Sequence, residues 1–151
     1  MNIPKWLIIH HTGGTDLNPF FDTSNHTLET VDAYHKSLGW DGIGYNWFIE
    51  KSGLCRKGRD ENKAGAHCIG YNEQSIGICL AGNFDSTLPT QPQIDSLTKL
   101  LKEKMVQYNI PKENIVPHRK FANKSCYGKK LSDTWASDLV KPNKEAIKAQ
   151  I

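Results

Sequence analysis

The stretch Val116-Pro117-His118-Arg119-Lys120-Phe121-Ala122-Asn123-Lys124-Ser125-Cys126 places a histidine, a lysine and a cysteine in irregular, Pro-bounded chain. Imidazole and thiolate are the ligands that borderline-soft zinc prefers, and one loop can fold both back onto a single ion. Two ligands do not make a catalytic site. A third, His10, stands at the end of the first apolar run, and three N and S ligands leave the fourth tetrahedral position open to water. Taken singly, each residue has a plainer reading. A histidine at a strand end or beside Pro117 is more often hydrogen-bonded structure, and a lone cysteine is most often a small buried hydrophobe. Together His10, His118 and Cys126 fit a catalytic zinc centre, which activates water and polarises a carbonyl, as hydrolysis of an amide or ester requires.

Such a centre needs a donor for the developing oxyanion and a group that helps move protons. Lys124 lies two residues before Cys126, so in an extended loop it shares a side with that ligand; its ordinary reading is an exposed, solubilising lysine. Tyr45, preceded by Gly44, reads equally as a core aromatic or as a site group. Ala64-Gly65-Ala66-His67 and Gly70-Tyr71-Asn72-Glu73-Gln74-Ser75 are Gly-punctuated loops of the kind that line clefts. Turn chemistry accounts for their glycines but leaves His67 and Asn72 without a purpose.

The elements that would position these residues are legible from pattern. Trp6-Leu7-Ile8-Ile9 predicts a buried strand that ends at His10 and opens into a loop at Gly13-Gly14; ligands gather at the carboxyl ends of such strands. Thr15 to His26 reads as surface loop. Thr27 predicts the cap of a helix with Leu28, Val31, Tyr34 or His35, and Leu38 on its apolar face, ended by Gly39. Tyr45 to Glu50 predicts a strand, Lys51-Ser52-Gly53 a hairpin turn, and Leu54 to Arg59 the returning strand. Ser75 to Ala81, nearly all apolar, predicts a central strand covered on both faces. Thr90 and Gln93 form a capping box, followed by a stripe of Ile94, Leu97, Leu101, Met105 and Tyr108 that stops before Pro111. Lys99, Lys102 and Lys104 on that helix read as a solvated face. Ile115-Val116 predicts a short strand and Ser132 to Val140 a last helix. Alternating strands and helices imply an α/β fold, a mixed central β-sheet flanked by helices, with residues 1–151 as a single domain.

Bulk properties narrow the function. A net charge of +3, with 38% hydrophobic and 23% charged residues, is that of an ordinary globular protein. It suits an anionic partner such as a cell-wall polymer, and no basic run is dense enough to argue for nucleic acid. No apolar segment approaches the roughly 20 residues that span a bilayer, and the start lacks the features of a secretory signal, so the expectation is synthesis in the cytoplasm without membrane association. Cys55, Cys68, Cys79 and Cys126 then read as reduced thiols.

The ordered runs Trp40-Asp41-Gly42-Ile43-Gly44-Tyr45-Asn46-Trp47-Phe48-Ile49, Gly58-Arg59, Gly65-Ala66-His67, Gly70-Tyr71-Asn72, Ser75-Ile76-Gly77-Ile78 and Ala81-Gly82-Asn83-Phe84 carry a resemblance. From about Trp6 to Trp135 the chain resembles the zinc-dependent N-acetylmuramoyl-L-alanine amidases of type 2, a family that includes phage amidase "lysozymes" and the peptidoglycan recognition proteins. The resemblance implies a mixed sheet flanked by helices and hydrolysis of the amide between N-acetylmuramic acid and L-alanine in peptidoglycan. It implies zinc on His10 rather than His11, with His118 and Cys126 as the other ligands. Tyr45 and Lys124 match the family's catalytic tyrosine and lysine, and His67 and Asn72 are expected to contact substrate. Two positions depart from the pattern: Tyr127 follows Cys126 where proline is common, and Asn46 follows Tyr45 where phage relatives often carry histidine. Binding-only members usually lack the cysteine ligand, so Cys126 favours an enzyme over a muramyl-peptide binding module. The expected activity is lysis of the wall as a monomeric endolysin, or recycling of soluble muropeptides in the cytosol; nothing in the sequence supports the phage RNA polymerase partner known for some relatives.

Overall fold

The structure, a computed structural model, describes residues 2–140. Its centre is a five-stranded sheet of β1 (Trp6–His11), β2 (Trp47–Ile49), β3 (Cys55–Lys57), β4 (Ser75–Leu80) and β5 (Ile115–Pro117), in the order β3-β2-β4-β1-β5. The pairs β1/β4, β1/β5 and β2/β4 are parallel and β2/β3 is an antiparallel hairpin, so the sheet is mixed. Among the described residues the α-helices are α1 (Leu28–Ser37), α2 (Gln91–Tyr108) and the short α3 (Trp135–Asp138).

The two faces of the sheet are built from different kinds of residue. Successive strand side chains point to opposite sides. Leu7 and Ile9 of β1 and Ile76, Ile78 and Leu80 of β4 join Leu97, Leu100 and Leu101 of α2 in the main core. On the other face β4 presents Ser75, Gly77 and Cys79, small side chains that leave room for something to lie on top. There β1 contributes Ile8 and His10. Ile8 packs with Cys68 and Val116, and Cys79 packs with Phe48 and with Val31 of α1. Every residue of β4 is buried, as a central strand covered on both sides must be.

Both long helices start where their caps predict. Thr27 and Thr30 form a reciprocal cap for α1, and Thr90 and Gln93 do so for α2, satisfying amide groups that the first turn leaves without partners. On α1 the residues turned inward are Val31 and His35; Tyr34 is 60% exposed and Leu38 50%. On α2 the lysines divide. Lys99 and Lys102 are solvated, but Lys104 is buried, its ammonium 2.8 Å from Glu61 and 5.0 Å from the Trp47 ring centroid. Glu61 also accepts from Trp47 Nε1 at 2.7 Å and Tyr108 Oη at 2.9 Å. Burial raises the Glu61 pKa, but these donors outweigh it and hold the carboxyl below its ordinary value.

Several predicted elements are shorter than their patterns, among them β3, which spans Cys55–Lys57 rather than Leu54 to Arg59. Tyr45 and Asn46 lie outside β2 because the Asn46 side chain, not the chain's own ladder, accepts from Gly77 N at 2.9 Å, while its amide donates to Arg59 O and Asp60 O. The last helix begins only at Trp135, since Ser132 O is taken by Tyr127 Oη at 2.5 Å and Asp133 by Arg119 Nε at 2.6 Å.

Candidate metal centre

Parallel pairing brings the carboxyl ends of β1, β4 and β5 to one edge, where ligands collect in such sheets. His10 lies in register with Cys79, and Ile9 with Pro117, so the residue after β5, His118, meets His10 across that edge. Their ring centroids are 4.4 Å apart. Cys126 closes the group: one donor atom from each of His10, His118 and Cys126 lies within 4.8 Å of the others, and all three residues are buried. The set is chemically suited to zinc, two imidazoles and one thiol at reach of one ion.

Protonation suits the same purpose. Burial lowers the His10 pKa well below its ordinary value, helped by His67 and His118. Burial, then the nearby Lys124 charge, lowers that of His118 to about 4. Both rings are therefore neutral at pH 7, the form that binds metal. Without an ion, burial pushes the Cys126 thiol up to about 12, against the opposing pull of the His11 amide, which donates to the sulfur at 3.3 Å. Metal binding must take the thiol proton away.

The loop carrying two of these residues is held from outside by groups that pattern reading did not single out. Arg119 donates its amide to Cys126 O at 2.7 Å, and its guanidinium to Gly128 O at 2.9 Å, Leu131 O at 2.6 Å and Ser125 O at 3.3 Å. Asp85 accepts from Ser125 Oγ at 2.9 Å and from Lys129 N at 2.8 Å. Tyr127 is 1% exposed, in a cis peptide with Cys126, and its ring lies under the Arg119 guanidinium. Tyr127 in a place where proline is common is the sequence signal that this turn is held differently.

Around the centre, the remaining site residues occupy two cavities. His67, Asn72, His118 and Lys124 line one of about 340 Å³, with Trp40 and Phe121 opposite. Tyr45 lines another of about 540 Å³, with Thr12, His26 and His35. The His10 ring sits between, 5.0 Å from the ring centroids of both Tyr45 and His67. A larger cavity of about 840 Å³ behind the Arg119 loop is also lined by Lys124 but contains none of the three donors. Lys124 is exposed and makes no ion pair among the described residues. Burial, then Cys79 and Cys126, raises the Tyr45 pKa well above its ordinary value, so its hydroxyl keeps its proton. Tyr45 is positioned from α1: His35 Nδ1 accepts from Gly44 N at 2.9 Å and Asp32 Oδ1 from Ile43 N at 2.8 Å. Asn72 has its side-chain oxygen committed to the amides of His67 and Cys68, at 3.0 and 2.9 Å, so it shapes the His67 loop. His11, the neighbour of His10, points to the other side and accepts from Phe84 N at 3.0 Å.

Known proteins give this geometry a context. Residues 1–129 match the family model described as N-acetylmuramoyl-L-alanine amidase. Peptidoglycan-recognition protein SC2 of Drosophila melanogaster is 33% identical over 141 residues, covering 90% of this chain and 76% of its own length. The endolysin of Escherichia phage T7 is 34% identical over 121 residues, 75% of this chain and 77% of its own. Among solved structures, the N-acetylmuramoyl-L-alanine amidase LysC from Clostridium intestinale superposes with a TM-score of 0.76 at 32% identity, covering 99% of this chain and 85% of that one.

Proposed function

The chain belongs to the N-acetylmuramoyl-L-alanine amidase family and is an amidase of peptidoglycan, and we propose that it works through a zinc ion held by His10, His118 and Cys126. The scissile bond is the amide between N-acetylmuramic acid and the L-alanine of the stem peptide. When bound, zinc supplies Lewis acidity that activates water and polarises a carbonyl.

The chain's own residues do the rest. The wall fragment lies over the edge of the sheet, in the cavity between Trp40, His67, Phe121 and Lys124. The Lys124 ammonium, free of carboxylate partners among the described residues, donates to the amide oxygen as charge develops there. Tyr45 keeps its proton and donates a hydrogen bond that orients the attacking water from the opposite cavity. His67 lines the cavity that holds the wall fragment, and Asn72 fixes its backbone.

The observation that carries this reading is the meeting of His10, His118 and Cys126 at the carboxyl edge of the sheet. The same complete set speaks against a module that only binds muramyl peptides. We propose that residues 1–151 act as one catalytic domain and a monomer, as a wall-lysing endolysin. No helix among the described residues is long and apolar enough to cross a membrane. Purified protein is expected to carry about one zinc, and Cys126→Ala to lose both metal and cleavage. Cleavage retained without metal would sink the mechanism. Mass spectrometry of products from intact sacculi and from soluble muropeptides distinguishes wall lysis from muropeptide recycling.

A further inference from the structure

A chain of hydrogen bonds runs from His10 through His67, which also lines the smaller cavity, to the buried start of β4. His10 Nε2 is 2.9 Å from His67 Nδ1; His67 Nε2 is 3.2 Å from Ser75 Oγ; Ser75 Oγ is 2.7 Å from Tyr71 O. The last member sets the direction of all the others. A carbonyl oxygen only accepts, so the Ser75 hydroxyl proton points to Tyr71. The Ser75 oxygen is then the acceptor for His67, which must carry its proton on Nε2. A neutral imidazole has one N–H, so His67 Nδ1 accepts, and His10 must donate from Nε2. His10 is left with an unprotonated Nδ1, which has no hydrogen-bond partner among the described residues.

The His67 ring is held in the one orientation that allows this. A Cβ added at Gly77 would lie 2.5 Å from His67 Cγ, and one at Gly65 would lie 2.5 Å from His67 Cδ2. The ring thus lies on bare backbone on both sides, over the small-residue face of β4. Asn72 fixes the backbone beneath it, and Ser75 is fully buried. Nothing in this arrangement is needed for packing alone; an apolar ring would fill the same space without aligning two polar edges.

We infer that Ser75 is a positioning residue that, through His67, fixes His10 in the Nε2–H tautomer and so presents its Nδ1 lone pair to the metal. The inference rests on the reading of His10 as a ligand. Metal-binding histidines depend in this way on the partner of their second nitrogen, and loss of such a partner weakens metal binding by roughly 10- to 100-fold.

The test reads protons and metal, not turnover. In metal-free protein labelled with 15N-histidine, long-range 1H–15N correlation is expected to find His10 and His67 both protonated at Nε2 only. Ser75→Ala is expected to leave His67 as a mixture of tautomers and to weaken zinc binding, measured by competition with a chelator, by roughly tenfold or more. Ser75→Cys, which keeps a weak donor and acceptor in place, falls between. A proton on His67 Nδ1 in the unmodified protein overturns the inference even if the variants fail to fold. So does an unchanged zinc affinity in Ser75→Ala. If His10→Ala binds zinc as tightly as the parent, the reading of the metal centre falls as well, which separates the two failures.

Discussion

Replacing Arg119 with alanine isolates what holds the proposed metal loop in place, because the side chain is not one of the proposed ligands. Its guanidinium makes two short hydrogen bonds, to Leu131 O at 2.6 Å and Gly128 O at 2.9 Å, and a longer one to Ser125 O at 3.3 Å. The ion pair with Asp133 adds little, since that carboxylate is 78% exposed. With the guanidinium about four-fifths covered, each short bond is worth on the order of 1 kcal/mol net of competing water. The face it sets on Tyr127 adds about 0.5–1 kcal/mol. The sum is about 3 kcal/mol, which for a domain of this size lowers Tm by roughly 6–12 °C. If the cost falls on the loop rather than on the whole fold, zinc must reorder it on binding, and affinity drops by up to about 100-fold. Thermal unfolding with and without zinc, together with chelator competition, separates these shares. Arg119→Lys recovers less than half, because an ammonium cannot span three carbonyls as a planar fork does. A variant whose Tm and zinc affinity both match the parent would refute the idea that Arg119 holds the ligand loop.

Lys124→Ala should keep zinc and slow hydrolysis at least about tenfold, as expected for loss of one oxyanion donor; an unchanged rate in a turnover assay returns Lys124 to the status of a surface lysine. Tyr45→Phe should likewise keep metal while lowering kcat, and its pH profile should show no new limb near neutrality, since the hydroxyl it removes does not titrate there. Zinc uptake at pH 7 should release about one proton, from Cys126, because both histidines are already neutral; calorimetry in buffers of different ionisation enthalpy counts it. In metal-free protein His11 and His118 have pKa values of about 4 and His67 about 3, all lowered chiefly by burial, against an unfolded value near 6.5. The unfolded chain therefore binds more protons below that value, so stability is full above pH 6.5 and falls as pH drops toward 4; a flat urea midpoint across this window would contradict the neutral cluster. Lys104→Ala should cost about 3–5 kcal/mol by stranding Glu61, far more than replacement of the exposed Lys102, as urea unfolding would read.

What was legible in the sequence was periodicity and local chemistry. Thr90 and Gln93 marked the start of α2 because a capping box is written within four residues, and β4 was recognisable as central because its alternation lacks any charged position. His10, His118 and Cys126 could be assembled as donors because zinc accepts few residue types. What escaped were polar groups whose partners lie far away in the chain. Lys104 looks like Lys102 until Glu61 is brought to it from another layer. His35 was indistinguishable from Tyr34 by spacing, and only the Gly44 amide it receives decides between them. Arg119 resembled any basic loop residue, since the carbonyls it gathers are made available by a turn that no local motif announces. Ser75 and Gly77 read as strand residues, and their second purpose appears only when His67 is laid across them.

The strand order also has a bearing on time. His10 belongs to the first strand among the described residues, and it meets its fellow donors beside β5, with which β1 pairs on one side. The other two donors, His118 and Cys126, lie more than a hundred residues downstream. A chain in which β1 has not yet met β5 and the loop beyond it thus offers scattered donors, because Cys126 reaches His10 only when that loop is also in place. On the proposed reading, the centre depends on topology: it is complete only when the chain's longest-range contacts are made.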